Sequence, residues 1–293
     1  MPKSESTLAP AKINLTLRIF GRRADGFHEL ESLVAFAPFG DRLTLWPDGS
    51  LDLKVSGPMA AGAGPLADNL VLRAARALAE RIEGLRLGRF VLFKRLPSGA
   101  GLGGGSADAA AALRLIAKAN RLSLDDRRIY EAARATGADI PVCLDPRPRA
   151  MGGIGEILSA PMVLPKLGIL IVHPGVALPT GPVFKALGLA PGQQYAKAPS
   201  SFPSSEAANR DALLTWLASE RNDLERAAIS IAPQIADVLG AIAGLAGCRL
   251  ARMSGSGSAC FGLFESGRAA AAAAKRLGAE RPAWWARAGL LRS

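Results

Sequence analysis

Between Pro97 and Ala110 the chain reads Pro-Ser-Gly-Ala-Gly-Leu-Gly-Gly-Gly-Ser-Ala-Asp-Ala-Ala, a glycine-dense turn that runs into an alanine-rich stretch. Gly101, Gly103, Gly104 and Gly105 permit positive φ and let bare backbone N–H groups come close to a ligand. The apolar run Phe90–Phe93 before the turn reads as a strand, and the alanines after it read as a helix from Ser106 to about Asn120. Ser106 is then the expected N-cap. The unpaired amides and positive dipole end of such a helix form a site for an anion, with phosphate as the obvious candidate. No Gly-Lys-Ser or Gly-Lys-Thr follows, so this is not a Walker loop, and it lacks the acidic residue of a dinucleotide-binding βαβ unit. The glycines alone also admit a plain connecting turn.

Two further residue types could act on a phosphate held there. Lys12 lies on an alternating segment, Ala11 to Arg18, with Ile13, Leu15 and Leu17 on one face and Lys12, Asn14, Thr16 and Arg18 on the other; taken by itself it is a residue of a solvated strand face. Asp139 precedes Pro141 and by itself reads as a turn or N-cap aspartate. A carboxylate within reach of an attacking hydroxyl could take its proton, and an ammonium could stabilise a transferring phosphoryl group.

Composition narrows the setting. The 293 residues are 49% hydrophobic, enough for about two domains with sizeable cores. The residues before Leu8 carry no apolar signal-peptide core, and no apolar run approaches the ~20 residues that span a bilayer, Gly168–Val176 being broken by His173 and Pro174. A cytoplasmic protein without membrane partners is expected. Cys143, Cys248 and Cys260 are widely spaced and read as small buried hydrophobes, and two histidines are too few for a histidine-rich metal centre. The net charge of +11 favours anionic partners, but the arginines are scattered without interleaved aromatics, which argues against nucleic acid.

The elements that must position these residues follow from periodicity and turn chemistry. Glu29–Phe36 and Arg42–Trp46 read as two strands after the polar turn Arg22–Gly26. Helices are expected over Asn69–Ile82 and from Leu124 to Ala135, the latter ended by Gly137, with a short extended or turn-like segment Ala138–Leu144. Gly168–His173 reads as a buried strand, Leu189–Ser205 as a long mobile loop, and Glu206–Ala246 as a helical block. Strand Arg249–Met253, the turn Ser254–Ser258, strand Ala259–Phe264 and helix Ser266–Leu277 complete the chain. Strand pairs flanked by helices imply an α+β sandwich for the second half.

The loop pattern resembles the central phosphate loop of the galactokinase, homoserine kinase, mevalonate kinase and phosphomevalonate kinase superfamily. Pro10-Ala-Lys-Ile-Asn-Leu15, Gly21-Arg-Arg-Ala-Asp-Gly-Phe-His-Glu-Leu30, Asp68-Asn69, Gly137-Ala-Asp-Ile-Pro141, His173-Pro-Gly-Val176 and Ser254-Gly-Ser-Gly-Ser-Ala259 extend it, in order, over most of the chain. They are similar to the branch whose acceptor alcohol carries a cytidine diphosphate group.

The resemblance implies an α+β, two-domain fold: a ribosomal-protein-S5-like mixed sheet with helices over residues 1–160 and an α/β sandwich over 161–293. It implies Lys12 and Asp139 as the catalytic pair, with Asp139 as general base. ATP would lie on Pro97, Ser98, Gly99, Ala100, Gly101, Leu102, Gly103, Gly104, Gly105, Ser106 and Ala107, with Asn69 and Lys94 near its adenine and phosphates. Phe27 would stack on the cytosine and His28 contact its edge, Phe184 would form the second wall, and Asn14 and Thr180 would face the substrate. Mg2+ is expected to arrive with ATP, without a dedicated carboxylate cage, so no protein ligands are assigned beyond Ser106 touching it or its waters. A monomer is favoured. Ala107, Phe27 and Gly181 depart from the usual pattern, which has a second serine in the loop, a tyrosine before the histidine and no such glycine. A homoserine- or mevalonate-type kinase, and a non-catalytic RNA-binding protein on the same scaffold, stand as alternatives.

Overall fold

The structure is a computed structural model, and it describes residues 4–195 and 209–291. In chain order the elements are β1 (Glu5–Asn14), β2 (Arg18–Arg22), β3 (His28–Trp46), β4 (Asp52–Ser56), α1 (Leu70–Ala79), β5 (Arg89–Phe93), α2 (Gly104–Ala119), α3 (Arg127–Thr136), α4 (Ile140–Leu144) and β6 (Arg149–Gly153). Then come β7 (Ile157–Leu158), β8 (Gly168–His173), α5 (Thr180–Ala186), α6 (Arg210–Ser219), α7 (Glu225–Ile231), α8 (Gln234–Ala243), β9 (Cys248–Met253), β10 (Cys260–Phe264), α9 (Gly267–Glu280) and β11 (Trp285–Leu290). The class is α+β.

The chain forms two compact units that interleave along the sequence rather than meeting at a single cut. The first comprises Met1–Lys12, Phe39–Ser98 and Gly103–Pro146; the second comprises Ile13–Pro38, Gly99–Leu102 and Arg147–Ser293. In the first unit the late half of β3 pairs antiparallel with β5, Arg42 opposite Phe93 and Trp46 opposite Arg89, and β5 pairs parallel with β4. Helix α2 packs on α1 and α4, and α1 on α3. The alanines 107, 109–112 and 117 of α2 are all buried, so small side chains let neighbouring helices approach it closely.

In the second unit the early half of β3 pairs antiparallel with β2 and β6. A separate antiparallel sheet runs β11-β8-β10-β9, with α8 against β9 and β10 and α9 against β8 and β11. Strand β8 is buried at every residue, as its unbroken apolar run predicts.

Several expectations are corrected. The two strands read at 29–36 and 42–46 are one strand of 19 residues, β3. It continues because Pro38 is exposed, where a missing N–H needs no ladder partner, and because Gly40 lies so close to the Ala9 carbonyl that a Cβ would overlap it. Helix α2 starts at Gly104, not Ser106, with Gly103 in the left-handed N-cap position at φ 59°. Ser106 is the third helical residue. The segment 138–144 is not extended: α4 occupies Ile140–Leu144, with Pro141 in its first turn, where proline lacks no needed donor. Strands β4, β6, β7 and β11 and helix α5 fall on stretches without clear periodicity.

The start of the expected mobile loop is ordered against β2. Arg22 N donates to Gln193 O and Tyr195 N to Phe20 O, and a Cβ on Gly21 would stand 2.6 Å from Gln193 O. The remainder of that loop, 196–205, and the first residues of the helical block, 206–208, lie outside the described residues. Among the described residues no helix is long and apolar enough to cross a membrane.

Candidate active site

In the first unit, Gly103 turns the chain into α2, whose first ladder bond runs from Ala107 N to Gly103 O at 2.8 Å. The N–H groups of Gly104, Gly105 and Ser106 therefore precede the ladder and stand at the positive end of a 16-residue helix. Lys12 runs past this turn: a Cβ on Gly103 would lie 3.1 Å from both Cβ and Cε of Lys12. The lysine ends 3.1 Å from Asp139 Oδ2. Its side chain is 4% exposed, so the solvated-face reading fails; both faces of β1 are covered from Ala9 onward. Asp139 is 40% exposed and makes no cap bond to α4, which leaves its carboxylate open to a ligand on the side away from Lys12.

Arg114 of α2 fixes the two elements that carry this pair. It donates to Cys143 O at the end of α4 at 2.7 Å and to Leu8 O of β1 at 2.8 Å. Cys143 is itself buried, and burial pushes its thiol up to about 12, so it stays protonated beside the pair.

The middle of the glycine loop is held within the second unit by the turn 254–258. Ser254 Oγ donates to Gly101 O at 3.0 Å and accepts from Asn14 N at 3.2 Å, Ala259 N donates to Ala100 O at 3.0 Å, and Leu178 N donates to Gly99 O at 3.0 Å. Gly99 and Gly101 have φ of 64° and 74°, and a Cβ on Gly101 would overlap the Ser254 carbonyl oxygen. Glycine is required there on both counts. The turn 254–258 is supported from behind. Asn222 Nδ2 donates to Met253 O at 2.9 Å and Gly255 O at 2.8 Å, and buried Arg252 donates to the carbonyls of Leu15, Leu217 and Glu220. Asn222 and Arg252 escaped the sequence reading, since a lone Asn or Arg among helical and strand residues carries no spacing signal.

The remaining site candidates, His28, Phe184, Phe27, Thr180 and Asn14, also lie in the second unit. His28 and Phe184 bring their rings to 4.7 Å at an interplanar tilt of 43°. His28 Nε2 is buried with no hydrogen-bond partner, and burial, with Arg22 beside it, holds the imidazole below the usual histidine range. Phe27 is 56% exposed, its ring available for stacking. Thr180 Oγ1 is 3.0 Å from Ser256 Oγ, and Asn14 Nδ2 donates to Ser32 Oγ at 2.7 Å. Gly181 has open space around it, and Ala107 is fully buried.

Two expected nucleotide contacts have other partners. Asn69 caps α1, its Oδ1 accepting from Val71 N at 3.0 Å. Lys94 is buried, with its ammonium between Asp41 and Asp108. Neither aspartate belonged to the residues read from sequence as functional; the available signal was a carboxylate, Asp108, set inside a run of alanines.

A glycine-cradled helix N-terminus with a lysine–aspartate pair beside it is an arrangement able to hold a phosphate next to an acid–base group, and the comparisons give the chain's class. The GHMP kinase N-terminal domain family matches residues 69–145 and the GHMP kinase C-terminal family matches residues 205–283. The chain belongs to the GHMP kinases and is an ATP-dependent phosphotransferase. Within that class it is similar to proteins named 4-diphosphocytidyl-2-C-methyl-D-erythritol kinase. One from Xanthobacter autotrophicus is 58% identical over 97% of this chain and 98% of its own length, and one from Methylobacterium radiotolerans is 58% identical over 94% and 95%. A crystal structure of 4-(cytidine 5'-diphospho)-2C-methyl-D-erythritol kinase superposes with a TM-score of 0.78 at 35% identity, covering 99% of this chain and all of that one. Homoserine kinase from Cytophaga hutchinsonii, at a TM-score of 0.66 and 19% identity over 100% of this chain and 95% of its own, shares the fold.

Proposed function

We propose that this chain transfers the γ-phosphoryl group of ATP to the 2-hydroxyl of 4-diphosphocytidyl-2-C-methyl-D-erythritol, giving the 2-phosphate and ADP, a step of non-mevalonate isoprenoid precursor synthesis. The observation that carries the chemistry is the Lys12–Asp139 pair, 3.1 Å apart, with the lysine stem against Gly103 at the start of α2. The observation that carries the substrate is the similarity to the named relatives, supported by the His28–Phe184 ring pair and exposed Phe27.

In this reading Asp139 takes the proton of the acceptor hydroxyl as its oxygen bonds to the γ-phosphorus and the bond to the β-phosphate oxygen breaks. Lys12 holds the carboxylate in place through their 3.1 Å ion pair and stabilises charge on the phosphoryl oxygens in flight. The amides of Gly104, Gly105 and Ser106 grip the phosphate tail, and Asn69 borders the adenine. His28, Phe27 and Phe184 hold the cytosine, the neutral imidazole at its edge and the rings against its faces, while Asn14 and Thr180 orient the erythritol chain. Among the described residues no cluster of three or more metal-ligating side chains exists, and Ser106 offers one hydroxyl at the loop. That donor set suits Mg2+ carried in by phosphate oxygens, with Ser106 the residue that would touch it or its waters; its chemistry there would be neutralisation of phosphate charge.

ATP consumption measured with 4-diphosphocytidyl-2-C-methyl-D-erythritol, homoserine and mevalonate tests the assignment. Turnover with the first is expected to exceed the others by orders of magnitude; preference for homoserine or mevalonate would overturn the substrate, and no turnover with any would overturn the kinase reading.

A further inference from the structure

Below the start of α2, within the first unit, lies a buried ion cluster that the chemistry above does not use. Lys94, one residue past β5, donates to Asp41 Oδ2 and, at 2.8 Å, to Asp108 Oδ2. The side chains are 5%, 0% and 4% exposed for Lys94, Asp41 and Asp108. Asp41 Oδ1 also accepts from the backbone N–H groups of Arg95 and Leu96. A Cβ on Gly104 would stand 3.6 Å from Lys94 Nζ and 3.7 Å from Asp41 Oδ2, so the cluster lies directly against the first residue of the helix.

Three stretches of backbone meet at one ammonium. Asp41 belongs to β3, Lys94–Leu96 is the segment that enters the glycine loop, and Asp108 sits in the second turn of the helix that leaves it. The loop between has three left-handed glycines, at 99, 101 and 103, so its backbone by itself does little to fix the spacing of its ends. An apolar trio would fill this volume with equal or greater stability, whereas a charged one fixes geometry through directed bonds.

We propose that Asp41, Lys94 and Asp108 form a positioning clamp that sets the spacing of the two ends of the phosphate loop, and that Lys94 serves ATP binding through this clamp rather than by touching the nucleotide. The proposal rests on the reading of the loop as the ATP phosphate site.

The clamp also carries a charge that changes near neutrality. Asp108 Oδ1 is buried with no partner, and burial lifts this carboxyl to about 7 against the pull of Lys94. The charged groups that act on it are Lys94 from the end of β5 and Asp41 from β3; the buried Cys143 of α4 faces it as a neutral thiol, and α1 turns Val71, Leu72, Ala75 and Leu78 inward. With Asp108 protonated the cluster is neutral; with it ionised the cluster is a net anion beneath amides that must hold another anion.

Calorimetric binding of ADP with Mg2+ to the wild type and to Asp108→Asn between pH 6 and 8.5 tests this, because the ratio of the two affinities cancels the ligand's own ionisation. The wild type should weaken relative to the variant by about fivefold across that range, the order expected of one unit charge ~10 Å away in a partly screened site. A flat ratio overturns the charge coupling, while the clamp itself stands or falls with Asp108→Ala. Asp108→Ala separates the two roles of Lys94: the clamp predicts about tenfold weaker ADP binding, whereas a lysine that touches nucleotide would bind as tightly or more tightly once released. A wild type that binds no ADP would instead sink the ATP reading.

Discussion

Lys12 and Asp139 stand 127 positions apart in the chain and 3.1 Å apart in space, one at the end of a buried strand and the other at the start of a five-residue helix. Such a contact has no local cause; it is enforced by packing of α2 against α4 and by Arg114 bridging α4 to β1. Removing either partner should therefore strike chemistry rather than assembly. Asp139→Asn keeps shape and loses the proton acceptor, and kcat should fall by about 10²- to 10⁴-fold with ADP affinity within threefold of wild type. Lys12→Met should lower kcat comparably. Stopped-assay kinetics paired with calorimetry read both numbers, and wild-type kcat in either variant would remove that residue from the mechanism.

The glycines of the loop differ in what they are for, and substitution separates them. Gly101 combines φ of 74° with a backbone wall at the Ser254 carbonyl, so Gly101→Ala should cost upward of ~1 kcal/mol in stability and weaken nucleotide binding at least tenfold. Gly103→Ala meets Lys12 at 3.1 Å with φ of 59°, and its effect should appear in kcat as well, through the displaced ammonium. Gly49 has φ of 87° but nothing within 4 Å, so Gly49→Ala should carry the strain cost alone and leave both kinetic constants unchanged. Thermal unfolding and nucleotide titration of the three proteins check this ordering.

What could be read from sequence was what depends on local chemistry. The apolar run Gly168–His173 gives β8 with the bounds read from it, Asn69 caps α1, and Ser266 caps α9. The glycine turn into α2 was visible because glycine density has a direct backbone meaning. Burial of Lys12 was not, since alternation along Ala11–Arg18 implies one wet face and only tertiary packing covers it. The continuity of β3 through Pro38 and Gly40 depends on an exposed edge and on Ala9, both invisible along the chain. The cluster of Asp41, Lys94 and Asp108 joins residues 14 to 67 positions apart, too far for any periodicity to reveal.

The proposed cytosine contact carries its own pH signature. His28 is held below the usual histidine range, so at pH 7 the imidazole is neutral, and it gains charge only as pH falls through a value under 6.5. Protonation places a cation beside Arg22 and changes the hydrogen-bonding character of Nε2, so the KM for the cytidine-bearing acceptor should rise on acidification while KM for ATP, once corrected for its own ionisation, does not follow. His28→Ala should raise acceptor KM about tenfold, equivalent to ~1.4 kcal/mol, and abolish the acid limb. An acceptor KM that is flat down to pH 5 in the wild type would contradict the contact.

Arg114 offers a way to disturb the proposed catalytic pair without touching it. Its guanidinium satisfies the Cys143 carbonyl at the end of α4 and the Leu8 carbonyl of β1, so a single side chain registers the element of Asp139 against the element of Lys12. Arg114→Met retains much of the stem and leaves two carbonyls without this donor, which should lower stability by about 2 kcal/mol. A residue that only stabilised the fold would leave the activity of the remaining folded protein intact. A registering residue should instead lower kcat about tenfold at temperatures well below unfolding, with ADP affinity preserved, because the amides proposed to hold the phosphates, at Gly104–Ser106, are not part of α4. Arg114→Lys can reach one carbonyl at a time and should recover part of both losses. Rate measurements at 15 °C beside thermal melts distinguish the cases: full kcat in folded Arg114→Met would reduce this arginine to a structural tie.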